Sequence, residues 1–220
     1  MKDNFTYDYL HGTDIYLHQR KDMFRINTDT ALLAQFMEIH KDEIVLDIGT
    51  NNGALLLAAA KKGAKSLIGI EIQKDACELA RHNLSTCGVP YEVIEGDVSY
   101  MKMPYAHCVI CNPPYFPTPP SGNRNQNEAL CIARHEKYLS FETLCEKASQ
   151  ALQTKGRFYL VHRSDRLGEL ISILYQHRFC LSKIQFVYDP SHDCSTAVLI
   201  EAIKDGKRKT QVLPMKMIAR

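Results

Sequence analysis

The sequence predicts an α/β fold built on a mostly parallel sheet, and three observations carry that prediction. Short apolar runs recur along the first half of the chain, the first leads through a tight turn into a helical stretch, and three carry an acid at or just past their carboxyl ends. The first run, 43–48, contains Asp47 and leads into Gly49, followed by the turn Thr50-Asn51-Asn52-Gly53 and the helical stretch 54–62. A second, 66–70, ends at Glu71, about 20 residues past the first glycine, where an acid in a nucleotide-binding unit meets ribose hydroxyls. A third, 91–95, ends at Gly96 and Asp97, and a fourth, 108–111, leads into Asn112. Further on, Ser140 caps a helix to about residue 153 that Gly156 ends, and 157–162 reads as the fifth strand. Asp165 opens a helix to His177, and 179–188 and 197–203 are strands joined by a connection short enough for antiparallel neighbours. Open α/β sheets bind ligands at the carboxyl ends of their strands. A lone acid there is more often a helix cap than a ligand, but Asp47, Gly49, Gly53, Glu71, Asp97 and Asn112 form an ordered series along one edge.

The tetrapeptide Asn112-Pro113-Pro114-Tyr115 carries the chemistry. The proline after Asn112 biases that residue away from the helical region, so a strand ending there projects a side-chain carbonyl acceptor from its tip. Pro113 and Pro114 have no N–H, so their carbonyls face a ligand without a neighbouring donor. Tyr115 adds a flat face for a planar group. A primary amine on a flat ring, such as that of adenine, can donate to Asn112 and to a proline carbonyl while the ring lies on Tyr115. A rigid turn after a strand also accounts for the prolines, though not for the Asn and Tyr that flank them.

Taken together, Asp47-Ile48-Gly49-Thr50-Asn51-Asn52-Gly53, Glu71, Asp97 and Asn-Pro-Pro-Tyr resemble the class I S-adenosylmethionine-dependent amino-methyltransferases. Two further segments, 24–34 (FRINTDTALLA) and Ala133-Arg134-His135-Glu136, are similar to the bacterial valine-tRNA adenine-N6-methyltransferase family, and the resemblance covers nearly the whole chain. It implies a Rossmann-like domain with a mostly parallel seven-stranded sheet ending in an antiparallel strand pair. It also implies that S-adenosyl-L-methionine is the cofactor and tRNA the substrate, with methyl transfer to an adenine beside the anticodon. Under it, the turn at Asp47, Gly49, Thr50, Asn51 and Gly53 meets the methionine portion, Glu71 the ribose and Asp97 the adenine end, with Ile72 and Val98 as further cofactor contacts. Thr28, Asp29 and Asn112 complete the cofactor set, and Asn112, Pro113, Pro114 and Tyr115 are the catalytic residues. Asn51 stands where that family usually has a second glycine; asparagine tolerates left-handed backbone, so a slightly tighter pocket is expected.

Composition agrees with one cytoplasmic enzyme domain over 1–220, comprising an N-terminal segment with a lid helix (1–40), a Rossmann-like core (41–203) and a basic tail (204–220). No apolar stretch is long enough to span a bilayer, and eight scattered cysteines read as reduced thiols without a metal-like repeat. Cys108 and Cys111 are spaced as CxxC, but strand positions three apart face opposite sides, which makes them core residues and not a metal clamp. The formal charge of +2 is far from that of an autonomous nucleic-acid binder. Basic residues nonetheless crowd the tail, where Lys207, Arg208 and Lys209 are candidate phosphate contacts, with solvated surface as the equal alternative. The irregular stretch 115–139 reads as a long loop over the substrate, with Arg124 and Arg134 as further candidates.

An adenine amine is a poor nucleophile because its lone pair is delocalised into the ring. Hydrogen bonds to Asn112 and the Pro113 carbonyl favour a pyramidal nitrogen in the transition state, so no strong general base is required. The alternatives are an rRNA or DNA amino-methyltransferase, a protein glutamine N5-methyltransferase and a non-enzymatic module with a relic pocket. A helical domain usually precedes the cofactor turn in the glutamine enzymes, whereas about 45 residues do here. The individual tRNA, the base position and the choice between monomer and homodimer are not fixed by the sequence.

Overall fold

The computed structural model describes residues 4–113, 139–207 and 209–218. A hairpin of β1 (Phe5–Tyr9) and β2 (Tyr16–Arg20) opens the chain, followed by helix α1 (Thr28–Phe36). Then come β3 (Ile44–Ile48), α2 (Ala54–Lys61), β4 (Ser66–Glu71), α3 (Lys74–Leu84), β5 (Tyr91–Glu95) and β6 (Ala106–Cys111). After the undescribed segment lie α4 (Phe141–Ala151), β7 (Leu152–Arg163), α5 (Leu167–Gln176), β8 (Phe179–Tyr188), β9 (Ala197–Lys204), β10 (Gln211–Val212) and β11 (Lys216–Met217).

Seven long strands in the order β8-β9-β7-β6-β3-β4-β5 form the sheet, and only β9 runs against its neighbours. The expected parallel sheet ending in an antiparallel pair is therefore present. Beyond it, β10 and β11 lie parallel to the outer edge of β8, so the segment read only as a basic tail also carries two short strands. Ser140 caps α4 through a hydrogen bond from the Thr143 N–H, but the helix ends at Ala151 and β7 begins at once. Gly156 lies inside that strand, not at the helix stop.

The central strands β3, β6, β7 and β9 are buried on both faces over most of their length, as the interior of a doubly covered sheet requires, while β5 and β8 nearer the edges are partly exposed. One apolar cluster joins the hairpin, α1, α2 and α3 to the sheet through Leu17, Leu33, Leu56 and Cys77. The other packs α4 and α5 through Leu144, Ala148, Leu170 and Leu174. Cys108 belongs to the first cluster and Cys111 to the second, so the two thiols face opposite sides of β6 as the strand period dictates. Burial pushes both thiols well above the usual cysteine range.

Candidate active site

Parallel pairing brings the ends of β3, β4, β5 and β6 to one edge. The chain leaves β3 toward β4 and β5 on one side and returns as β6 on the other, which makes the β3–β6 boundary the topological switch point where open α/β sheets hold ligands. Asp47 pairs with Ile110, so two residues later Gly49 and Asn112 leave their strands side by side. The Cys111 thiol, donating to the Ile48 carbonyl at 3.1 Å, closes the seam beneath them.

Gly49 turns out of β3 at φ +76°, and a Cβ placed on it would meet nothing within 4 Å. The turn thus presents bare backbone to open space. Its amides are already engaged: Gly49 and Thr50 N–H donate to the Ile70 carbonyl, Asn51 N–H to Glu71 Oε2, and Gly53 N–H to the Thr50 carbonyl. Shape and carboxylates, and not these four donors, are therefore what the turn offers a ligand. Gly69 underlies it so closely that a Cβ there would lie 2.7 Å from the Thr50 methyl, a close approach that only glycine permits and that the sequence reading missed.

Asp47 is 1% exposed, and neither of its carboxylate oxygens has a hydrogen-bond partner among the described residues. Burial pushes it up to about 7; the neighbouring Thr50 hydroxyl, close but itself outside hydrogen-bond geometry, opposes the rise, and Glu71 adds to it. Such a carboxylate is costly unless a cation or donor reaches it. Glu71 is also buried and raised by burial, but its two oxygens accept from Asn51 N and Gln73 N at 2.9 Å each, leaving further lone pairs toward the edge. Asp97 accepts from Ser99 N at 2.9 Å and so caps its own 3-10 turn; Val98 beside it is core, and Ile72 is 40% exposed.

Asn51 adopts φ +48°, the left-handed backbone expected of it, and its side-chain amide donates to the Phe24 carbonyl at 2.9 Å. Where a glycine would leave a gap, this asparagine ties the N-terminal segment onto the turn. Buried Asn83 reinforces the tie by bridging the His18 backbone and the Asn52 carbonyl, and buried Gln19 accepts from both Ile26 N and Asn52 Nδ2.

At the amino end of α1, Thr28 is exposed and Asp29 half-buried, with burial pushing the Asp29 carboxyl up to about 6. Thr30, which the sequence reading passed over, makes the decisive contact. Its hydroxyl accepts from Asn112 Nδ2 at 3.1 Å and donates to Oδ1 of Asn27, the helix cap, at 3.0 Å. One N–H of the Asn112 amide is therefore engaged by Thr30, which fixes the orientation of the group and leaves Oδ1 as its acceptor end. Pro113 is buried beside it. Pro114, Tyr115, Arg124, Arg134 and Arg208 lie outside the described residues, whereas Lys207 and Lys209 are exposed on the far segment after β9.

An edge of this kind on a sheet of this order defines a Rossmann-like domain of the methyltransferase type. A family model described as methyltransferase small domain matches residues 17–177, and the chain belongs to that family. A tRNA1(Val) (adenine(37)-N6)-methyltransferase of a Flavobacteriaceae bacterium is 32% identical over 149 residues, covering 66% of this chain and 62% of the relative. One of the same name from Aliivibrio salmonicida is 28% identical over 180 residues, covering 80% and 76%. Among solved structures, a predicted O-methyltransferase from Agrobacterium tumefaciens superimposes with TM-score 0.66 at 22% identity, covering 86% of this chain and 87% of that one. Methanocaldococcus jannaschii Trm5 in complex with adenosine does so with TM-score 0.69 at 15% identity, covering 93% and 56%. These two likenesses establish the fold. Among the described residues no helix is long and apolar enough to cross a membrane, and no group of three or more His, Cys, Asp or Glu is placed to hold a metal.

Proposed function

We propose that this protein transfers a methyl group from S-adenosylmethionine to the exocyclic N6 amine of an adenine in tRNA, beside the anticodon of a valine tRNA. The single observation that carries the chemistry is the fixed amide of Asn112: Thr30 holds its nitrogen, so its oxygen accepts from an amine at the switch point. An amine acceptor is what N6 chemistry requires, because the amine must donate as its nitrogen becomes pyramidal. The choice of tRNA and of adenine draws on the names of the relatives.

The residues present fit the cofactor. Asp47, buried and without a hydrogen-bond partner, suits a ligand bearing an ammonium group, and the open space over Gly49 suits one that lies against the turn. Glu71 retains lone pairs for ribose hydroxyls, and Asp97 lies one strand further toward the adenine end. When bound, S-adenosylmethionine supplies an electrophilic methyl on a sulfonium. The protein's part is positional: Asn112 and the Pro113 carbonyl orient the amine, and Tyr115 stacks on the base, while the methylated nitrogen loses its proton to solvent afterwards. Thr28 and Asp29 border the same pocket in this reading, and Arg124, Arg134, Lys207, Arg208 and Lys209 contact RNA phosphate.

The test is incubation of purified protein with methyl-labelled cofactor and, separately, total bacterial RNA, DNA and protein, followed by nucleoside analysis. Label in N6-methyladenosine of tRNA is the expected result. Label confined to DNA or to protein glutamine would overturn the assignment of substrate.

A further inference from the structure

The outer face of the β1–β2 hairpin has no place in the site described above. Its cross-strand pairs are Phe5 with Arg20, Tyr7 with His18, and Tyr9 with Tyr16. All six positions of that face carry planar groups: four benzenoid rings, an imidazole and a guanidinium. They are not shielded, for Phe5, Tyr7, Tyr9 and Tyr16 are 50%, 63%, 43% and 56% exposed. Tyr7 stacks on Tyr16 with centroids 5.8 Å apart and planes at 19°, and Tyr7 and His18 lie 4.8 Å apart. His82 of α3 extends the row by an edge contact with His18 at 4.8 Å.

We propose that this ladder is a stacking platform for a single-stranded RNA segment, a proposal that rests on the reading of RNA as substrate. Planarity at every position favours bases, whose π-faces accept aromatic partners without regard to sequence. A protein partner would be met as well by branched aliphatic groups, and none stands on this face. The hairpin that carries this face is also tied to the candidate active site. Its inner side is clamped to the cofactor turn through Gln19, Asn83 and Asn52, and its Arg20 end pairs at 2.7 Å with Asp75 in the first turn of α3, just past Glu71. Asp22 also pairs with Arg20, so the guanidinium charge is largely neutralised and stacking, not phosphate attraction, is the platform's contribution.

The experiment is titration of the full chain with an unstructured oligouridylate and with tRNA, at several salt concentrations. The parent is compared with a Tyr7→Ala/Tyr16→Ala double variant, with Tyr16→Ala alone and with Tyr16→Ile, which keeps apolar area and strand preference but loses the plane. The double variant should bind oligouridylate roughly ten- to a hundredfold more weakly with an unchanged salt slope, and Tyr16→Ile should be as impaired as Tyr16→Ala. Because the chain has no tryptophan, quenching of tyrosine emission on binding gives a direct readout that the double variant should lose in part. Unaltered RNA affinity in the double variant, or full affinity in Tyr16→Ile, overturns the platform. So does unaltered RNA affinity accompanied by loss of parental self-association, which would make the face an interface between copies. The oligonucleotide titration does not depend on catalysis. A parent that methylates no RNA, but whose oligonucleotide affinity falls in these variants, retains the platform and sinks only the substrate reading.

Discussion

Asn112 Nδ2 and Thr30 Oγ1 are 3.1 Å apart, and through that contact helix α1 sets which end of the Asn112 amide faces the pocket. Thr30 accepts from Asn112 only because its own proton goes to Asn27, the cap of α1. Asn112→Ala should lower the single-turnover rate by roughly a hundredfold or more, as loss of an oxyanion-hole contact does. Thr30→Val keeps the shape but frees the amide to turn over, and should lower kcat roughly tenfold with little change in KM. Thr30→Ser should restore the rate. Parental kcat in Thr30→Val would show that the hydroxyl does not orient the amide.

The sheet was legible because its strands are short apolar runs, and 43–48, 66–70, 91–95 and 179–188 each coincide with a strand to within a residue. The N-terminal hairpin was not, because its pattern is inverted. Phe5, Tyr7, Tyr9 and Tyr16 face solvent, while Asp8 and Gln19 are turned in and held by a 2.6 Å hydrogen bond. A rule that puts rings inside and polar groups outside misreads such a ribbon. The strands β10 and β11, with two residues each, are too short to show any period. Within the site, the acids stood out as residue types at strand ends. Thr30 did not, since its role depends on a partner 82 positions away.

Glu71 holds two backbone amides as well as facing the proposed ribose site. Glu71→Ala should therefore weaken S-adenosylmethionine binding and also cost about 1–3 kcal/mol of stability, because Asn51 N and Gln73 N lose their acceptors. Glu71→Gln keeps an acceptor oxygen and should recover part of both. Calorimetric titration with denaturant unfolding of the same samples separates the two effects. A Kd equal to the parent's in a folded Glu71→Ala protein removes this residue from the pocket.

Asp47 makes the cofactor-free protein sensitive to pH in a stated direction. Its folded pKa, about 7, lies above the ordinary value of 3.8 that the unfolded chain retains. Between these values the folded state holds a proton that the unfolded state has released, so stability falls as pH rises from about 4 to 7 and the penalty is complete above that. Three pKa units set an upper limit of roughly 4 kcal/mol. Asp47→Asn cannot ionise, so its stability relative to the parent should rise across the same window. Urea midpoints from pH 4 to 8 check this, and parallel curves for the two proteins would mean that Asp47 is ionised throughout.

The basic residues after β9 do not form one class, and this yields a prediction that separates surface from structure. Lys204 donates to the Leu152 carbonyl at 2.7 Å and also to the Ser149 carbonyl, both near the carboxyl end of α4. Lys216 reaches Gln35 at 3.3 Å, whereas Lys207 and Lys209 are exposed. Replacing Lys207, Arg208 and Lys209 together by Ala should weaken tRNA binding and reduce the dependence of log K on log salt by up to about three, with no change in cofactor affinity. Lys204→Met should do the reverse. It strips the end of α4 of a cationic donor and should lower stability by about 1–2 kcal/mol while leaving the salt slope alone. Binding isotherms at four or five salt concentrations, with thermal unfolding of each variant, distinguish the two. An unaltered slope in the triple variant would mean that the exposed lysines are solvated surface and that RNA is gripped elsewhere.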